Sequence, residues 1–190
     1  TFVPFMECYH GVVSLYSDLK GEININNKKI DFNSGIGYIE KNWGKSFPSE
    51  WVWFQANNFN KKISIMFSMA KIPWLGKSFL GFLALIFFEN KIYRFATYTN
   101  AKVTKKIFDG KNLIIFVEDK IYKIEYYITP SSIRGQLKAP NKGQMNRLIK
   151  ESISAKIKVS FINKRHGLIF NEESDVVGFE QVGNLIERKF

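Results

Sequence analysis

Residues 35–57, GIGYIEKNWGKSFPSEWVWFQAN, hold three of the four tryptophans in the chain. On a strand, where side chains alternate between faces, Trp51, Trp53, Gln55 and Asn57 share one side and Val52, Phe54 and Ala56 the other. The second side is a plain core face. The first carries two indoles and two amides. Large aromatic surfaces with a few polar groups are what a pocket for a bulky, mostly apolar ligand requires. Just upstream, Tyr38 and Glu40 share a face set against Ile39 and Lys41, and Gly44 and Pro48 punctuate the intervening loop. Glu7, Cys8 and His10 sit together in an apolar run near the start. Cys8 reads as a small buried filler. His166, between Lys164-Arg165 and Gly167, reads as part of an exposed hairpin turn.

The elements that must hold these groups are strands. Phe and Ile are abundant and Ala is scarce in a chain that is 45% apolar and 16% aromatic. That composition suits pleated, half-buried surfaces and argues against a helical bundle or a disordered chain. Apolar positions repeat with a period of two. The pattern places a strand in residues 5–16, a hairpin over Glu22–Phe32 turning near Asn26-Asn27, and strands at Ile36–Glu40, Trp51–Asn57 and Ile63–Met69. Phe79–Phe88 and Ile92–Tyr98 join at Glu89-Asn90, and Val103–Phe108 and Leu113–Val117 join at Asp109-Gly110. Ile121–Ile128, Ile133–Leu137, Ala155–Ile162, Leu168–Phe170 and Val176–Val182 complete the series. Only Met145–Ser154 has a helical spacing, through Leu148, Ile149 and Ile153. About a dozen closely spaced strands predict an all-β fold: a lipocalin-like antiparallel β-barrel or curled sandwich with at most one or two short helices. With no linker or repeat, residues 1–190 read as a single β-barrel-like domain.

The formal charge of +11 is uneven: residues 61–170 carry 21 Lys/Arg against 6 Asp/Glu. No RNP-type motif, zinc-finger spacing or helix-turn-helix pattern accompanies it, so no nucleic-acid partner is expected. The lysines read as the solvated polar positions of a sheet, with at most a peripheral contact with a membrane. The longest apolar stretch, Phe79–Phe88, is ten residues, half of what a helical bilayer span needs. No signal peptide is visible, and a cytoplasmic location is expected. One cysteine excludes an intramolecular disulfide, and two distant histidines argue against a metal site.

The run Tyr38-Ile39-Glu40-Lys41-Asn42-Trp43-Gly44, then Phe47-Pro48, then Trp51-Val52-Trp53-Phe54-Gln55 and Asn57, resembles the tocopherol cyclase family, whose plant enzymes carry an EKNWG…FP…W.W.Q.N signature. Pro4–Ser14, Ile72-Pro73-Trp74-Leu75-Gly76 and Val177–Gly183 resemble bacterial tocopherol cyclase-like proteins. An F-E-G-W-Y-F-like motif of the family's N-terminal half does not occur here. The resemblance therefore implies the C-terminal half of a longer, twin-lobed, lipocalin-like protein, with the N-terminal half as its partner in forming the pocket.

The resemblance also implies a reaction: the phenol oxygen of a prenylated hydroquinone adds across a side-chain alkene and closes a chroman ring. Such chemistry needs an acid for the alkene, aromatic faces for the tertiary cation and a dry pocket for the folded tail. It needs no metal or redox cofactor. Glu40 is the first candidate acid, since a carboxyl beside Tyr38 and Trp43 in an apolar barrel would have its pKa raised. The alternative is that it pairs with Lys41, Lys45 or a backbone amide and fixes the loop. Glu7 is the second candidate, or else an edge salt bridge. Trp43, Trp51 and Trp53 are candidate ligand walls or core. Gln55 and Asn57 would bind a quinol hydroxyl or satisfy backbone groups, and His10 would relay a proton or be structural. The same pocket would also serve a non-catalytic lipocalin-like carrier of a hydrophobic small molecule.

Overall fold

A computed structural model describes residues 6–74 and 76–188. Phe5, at the start of the first expected strand, and Leu75 of the Ile72–Gly76 motif lie outside the described residues, as does Pro4. The elements are β1 (Cys8–Asp18), β2 (Glu22–Ile25), β3 (Lys28–Asp31), β4 (Ile36–Gly44), β5 (Trp51–Ala56), β6 (Ile63–Trp74), β7 (Lys77–Phe88), β8 (Lys91–Ala96), a 3-10 turn (Thr97–Thr99), β9 (Lys102–Phe108), β10 (Leu113–Glu118), β11 (Tyr122–Thr129), β12 (Gly135–Asn141), β13 (Gln144–Asn163), β14 (Gly167–Val182) and β15 (Glu187–Arg188). The fold is all-β, as the period-two pattern predicts.

The main sheet runs β15-β9-β10-β11-β13-β14-β5-β6-β7-β8, with β12 added beside β13. Its ends, β15 and β8, are not hydrogen-bonded to each other, so the sheet is curled rather than a closed barrel. The curl brings β8 over β11 and β13: Tyr93 lies edge-on to Phe161 at 4.9 Å, and Phe95 edge-on to Tyr122 at 6.3 Å. Alternate residues of β5 (Val52, Phe54, Ala56) and β6 (Ile63, Ile65, Phe67, Met69) point into this interior with Tyr126, Phe161 and Phe179. The interior is a solid apolar core, and burying such side chains contributes about 1.5–3 kcal/mol each.

Two short ribbons stand apart from the sheet. β2 and β3 form a hairpin whose Asn26 and Asn27 both take positive φ, the geometry a two-residue turn needs. Glu89 and Asn90 do the same between β7 and β8. The β1–β4 ribbon, paired Cys8↔Gly44 through Asp18↔Ile36, packs on the outer face of β6 and β7, where Leu15, Met66 and Leu85 form a second cluster with Tyr38 and Leu83.

The helix expected over Met145–Ser154 is instead the first half of β13. Leu148 pairs with Lys138 and Ile149 with Leu137. Ile149 is buried while Leu148 is 63% exposed, a strand alternation, and β-branched Ile149 and Ile153 favour it. The separate strands expected at Leu168–Phe170 and Val176–Val182 are one strand, β14. Its alternation continues through Phe170, Glu172 and Ser174, where polar side chains at the inward positions hide the apolar period, and a register shift against β13 follows between Ser174 and Val177.

Candidate functional site

The aromatic face of β5 looks outward, away from the solid core. Trp51, Trp53 and Gln55 lie opposite Ala70, Ser68 and Met66 of β6. A cavity of about 1010 Å³ lies over this face, open to solvent on one side. Its walls are the start of β1, Glu40 and Asn42 of β4, the 46–49 loop, and the β6–β7 ribbon around Ile72, Trp74 and Phe79. Glu180 of β14 and Arg147 of β13 complete it. The pocket therefore lies between the curled sheet and its ribbon, not inside the barrel-like interior that the lipocalin analogy suggests.

Two of the carboxylates that border this cavity are each held by an indole. Trp53 Nε1 donates to Glu40 Oε2 at 2.9 Å, and Trp51 Nε1 donates to Glu180 Oε2 at 2.7 Å. Glu40 also accepts from Tyr38 Oη at 2.5 Å and from Asn42 Nδ2 at 2.9 Å. It thus sits among hydrogen-bond donors, beside Tyr38 as the sequence suggests, on a cavity outside the apolar interior. Burial first, then the Glu40 charge, pushes the Tyr38 hydroxyl far above its ordinary range, so it remains a donor.

Glu180 differs. Burial, opposed by the Trp51 hydrogen bond and reinforced by Glu151 and Glu40, pushes its carboxyl up from 4.5 to about 7. His10 Nε2 lies 3.5 Å from Glu40 Oε2, outside hydrogen-bond geometry, and has no hydrogen-bond partner. Burial lowers the pKa of His10 against the opposing pull of Glu40 and favours the neutral imidazole.

Of the residues singled out in the sequence, Glu7, His10, Glu40, Trp51 and Trp53 border the cavity. Glu7 is exposed, and its carbonyl accepts from the amides of Lys45 and Ser46. Tyr38 stands behind Glu40. Trp43, an odd number of positions from Glu40, falls on the opposite face of β4, stacks on Tyr9 at 5.4 Å and is 41% exposed. Asn57 Nδ2 donates to the Ile36 carbonyl at 3.4 Å and ties β5 to β4. Gln55 Nε2 is buried without a hydrogen-bond partner, away from the cavity lining. Cys8 borders the cavity as a part-buried thiol pushed up to about 11 by burial. His166 lies exposed in the β13–β14 turn, as expected. Among the described residues, no cluster of His, Cys, Asp or Glu has an arrangement to hold a metal ion. No described helix is long and apolar enough to cross a membrane.

The tocopherol cyclase-like family model matches residues 3–184. The chain belongs to the tocopherol cyclase-like family. It is 29% identical over 102 residues to a probable chloroplastic tocopherol cyclase of Oryza sativa subsp. japonica, covering 50% of this chain and 22% of the rice protein. It is 39% identical over 57 residues to the chloroplastic tocopherol cyclase of Zea mays, covering 30% of this chain and 12% of the maize protein. The matched stretches thus span less than a quarter of those relatives. Among solved structures, kievitone hydratase from Nectria haematococca aligns with 92% of this chain and 53% of its own, with a TM-score of 0.49 and 10% identity.

Sequence reading of this tocopherol cyclase-like chain missed Glu180, Glu151 and Arg147. Glu180 was legible in principle: it alternates with Val177 and Phe179 on β14 and therefore points to the face opposite the core. Arg147 had no such signal. Its guanidinium lies 4.9 Å from the Trp51 ring and donates to the carbonyls of Pro48 (2.6 Å) and Ser49 (2.8 Å). That clasp joins the 46–49 loop to β13 across about a hundred residues of sequence. Gly178 was also missed. A Cβ there would lie 3.0 Å from a Trp53 ring carbon, so its bare backbone is what lets the indole lie flat against β14.

Proposed function

We propose that this chain carries the acid–base site of a cyclase that closes a chroman ring on a prenylated phenol. The observation that carries the reading is Glu180: a carboxyl near pH 7 in its proton affinity, beside Glu40, on the wall of a large aromatic-lined cavity. A group that titrates near the working pH is suited to general acid catalysis. In this reading Glu180 gives its proton to the side-chain alkene, and a tertiary cation develops at the neighbouring carbon. The face of Trp53 stabilises that cation through its quadrupole. The phenol oxygen attacks it, forming the ring C–O bond. The phenol proton passes to Glu40 or to neutral His10, which releases it to solvent as solvent returns a proton to Glu180.

Glu40, the first acid candidate from sequence, is here the acceptor and orienting group, because donors from Tyr38, Asn42 and Trp53 already surround it. The apolar wall of Ile72, Pro73, Trp74 and Phe79 suits the isoprenoid tail, and holding the tail folded over the ring supplies orientation. No step draws on a metal or redox group.

The test is cyclisation of a prenylated hydroquinone by the full natural chain, with chromatography of the chroman product. Glu180→Gln and Glu40→Gln should each lower turnover by about 10²–10⁴-fold while ligand affinity changes little. If wild type retains a bound lipid yet cyclises no prenyl phenol, the carrier reading replaces this one. Full activity in both variants would place the acid elsewhere.

A further inference from the structure

Two of the carboxyls that border the cavity, Glu40 and Glu180, are each held by an indole, and the strand register distinguishes them. Glu180 is the direct cross-strand partner of Glu151 on β13 and of Trp53 on β5. Side chains directly opposite on antiparallel strands stand about 4.5–5.5 Å apart at Cβ, and like charges there repel. We propose that Glu151 is a positioning residue that makes Glu180, rather than Glu40, the proton-holding carboxyl of the site. This inference rests on the cyclase reading for its catalytic consequence, but not for the juxtaposition itself.

The argument is an asymmetry of partners. Glu40 accepts from three donors, Tyr38, Asn42 and Trp53. Glu180 accepts from one, the Trp51 indole. The groups on the elements packed around Glu180 do not offset this. β13 presents Glu151, β4 presents Glu40, and β5 presents the neutral indoles of Trp51 and Trp53. The cavity's cations are engaged elsewhere or act weakly. The Arg147 guanidinium is spent on the Pro48 and Ser49 carbonyls and on the Trp51 face, and Lys71 pairs with Glu50 at 3.1 Å. Lys142 borders the cavity at the 141–142 turn. Burial, Glu151 and Glu40 all push the Glu180 carboxyl upward, in agreement with the geometry. A proton on Glu180 relieves its repulsion from both Glu151 and Glu40, while burial and Glu40 push the Glu151 carboxyl upward as well.

Glu151 does not border the cavity, so it acts through Glu180 and not on the ligand. The experiment follows the Glu180 carboxyl by 13C NMR on glutamate-labelled protein, assigned by its loss in Glu180→Gln. In Glu151→Gln the Glu180 titration should move to lower pH. Turnover at pH 8 should fall about three- to tenfold, with a smaller loss at pH 5.5, since the protonated fraction scales tenfold per pH unit above the midpoint. Glu151→Asp, which keeps the charge, should restore most of the wild-type titration. An unchanged Glu180 titration in Glu151→Gln, or a titration in Glu151→Asp that matches Glu151→Gln, overturns the proposal. If the titration moves as expected while wild type makes no chroman, the positioning role stands and the cyclase reading fails.

Discussion

Trp53 Nε1 meets Glu40 Oε2 at 2.9 Å across two separate sheets, joining β5 of the main sheet to β4 of the ribbon laid over it. The bond makes one indole both a wall of the cavity and a strut that holds the ribbon in place. Trp53→Phe keeps the apolar face but removes the N–H. It should cost about 1.5–3 kcal/mol of stability, the range for a hydrogen bond to a charged group, read as a lower urea midpoint at unchanged slope. Ligand affinity and turnover should fall together, with turnover falling by less than in Glu40→Gln.

Gly178→Ala tests how closely that indole is seated. The added methyl would stand 3.0 and 3.1 Å from two Trp53 ring carbons, so the ring must tilt. The expected outcome is a shifted tryptophan emission and weaker ligand binding with the fold retained. An unaltered emission spectrum and unaltered binding would show that the contact is not constraining.

Stability should depend on pH through Glu180. Its folded-state value, about 7, lies above the ordinary 4.5, so the folded protein holds this proton more tightly than the unfolded chain. The unfolded state then binds fewer protons between the two values, and stability falls as pH rises from about 4.5 to 7. The full contribution, present below 4.5 and lost above 7, is at most about 3 kcal/mol. Urea midpoints at pH 5 and pH 8 should differ more in wild type than in Glu180→Gln. Turnover that depends on the protonated form should likewise decline above neutral pH.

The curled interior should govern stability and not binding. Phe161 is buried among Tyr93, Phe95, Tyr122 and Phe170, away from the cavity. Phe161→Ala should cost about 3–5 kcal/mol and leave ligand affinity of the folded fraction unchanged. A loss of affinity at a temperature where the variant is fully folded would move the ligand site into the interior.

The β character of the chain was legible without coordinates, because alternation of apolar and polar residues is a local property of neighbouring side chains. Val52, Phe54 and Ala56 went to the core and Trp51, Trp53 and Gln55 to the other side for that reason alone. The turns at Asn26-Asn27 and Glu89-Asn90 were local in the same sense, since positive φ is tolerated by few residue types. Residues 145–154 were misread as helical because a register shift within β13 breaks the alternation, and only pairing with β12 and β14 decides the strand. The site was legible in part. Glu40, Trp51 and Trp53 border one cavity, whereas Trp43 turns away on the far face of β4. Which side of the sheet holds the cavity depends on contacts between residues about a hundred or more positions apart, and which carboxyl stands next to Glu180 on the pairing of β13 with β14. Glu180 meets Trp51 and Arg147 meets Pro48 only because β14 returns to pair with β5. Curvature of the whole sheet, summed over many strands, fills its inside with Phe54, Phe161 and Phe179 and leaves the outer face free for a ribbon to cover. No local pattern encodes that choice, because it is set by which surfaces remain to be buried once the core is packed.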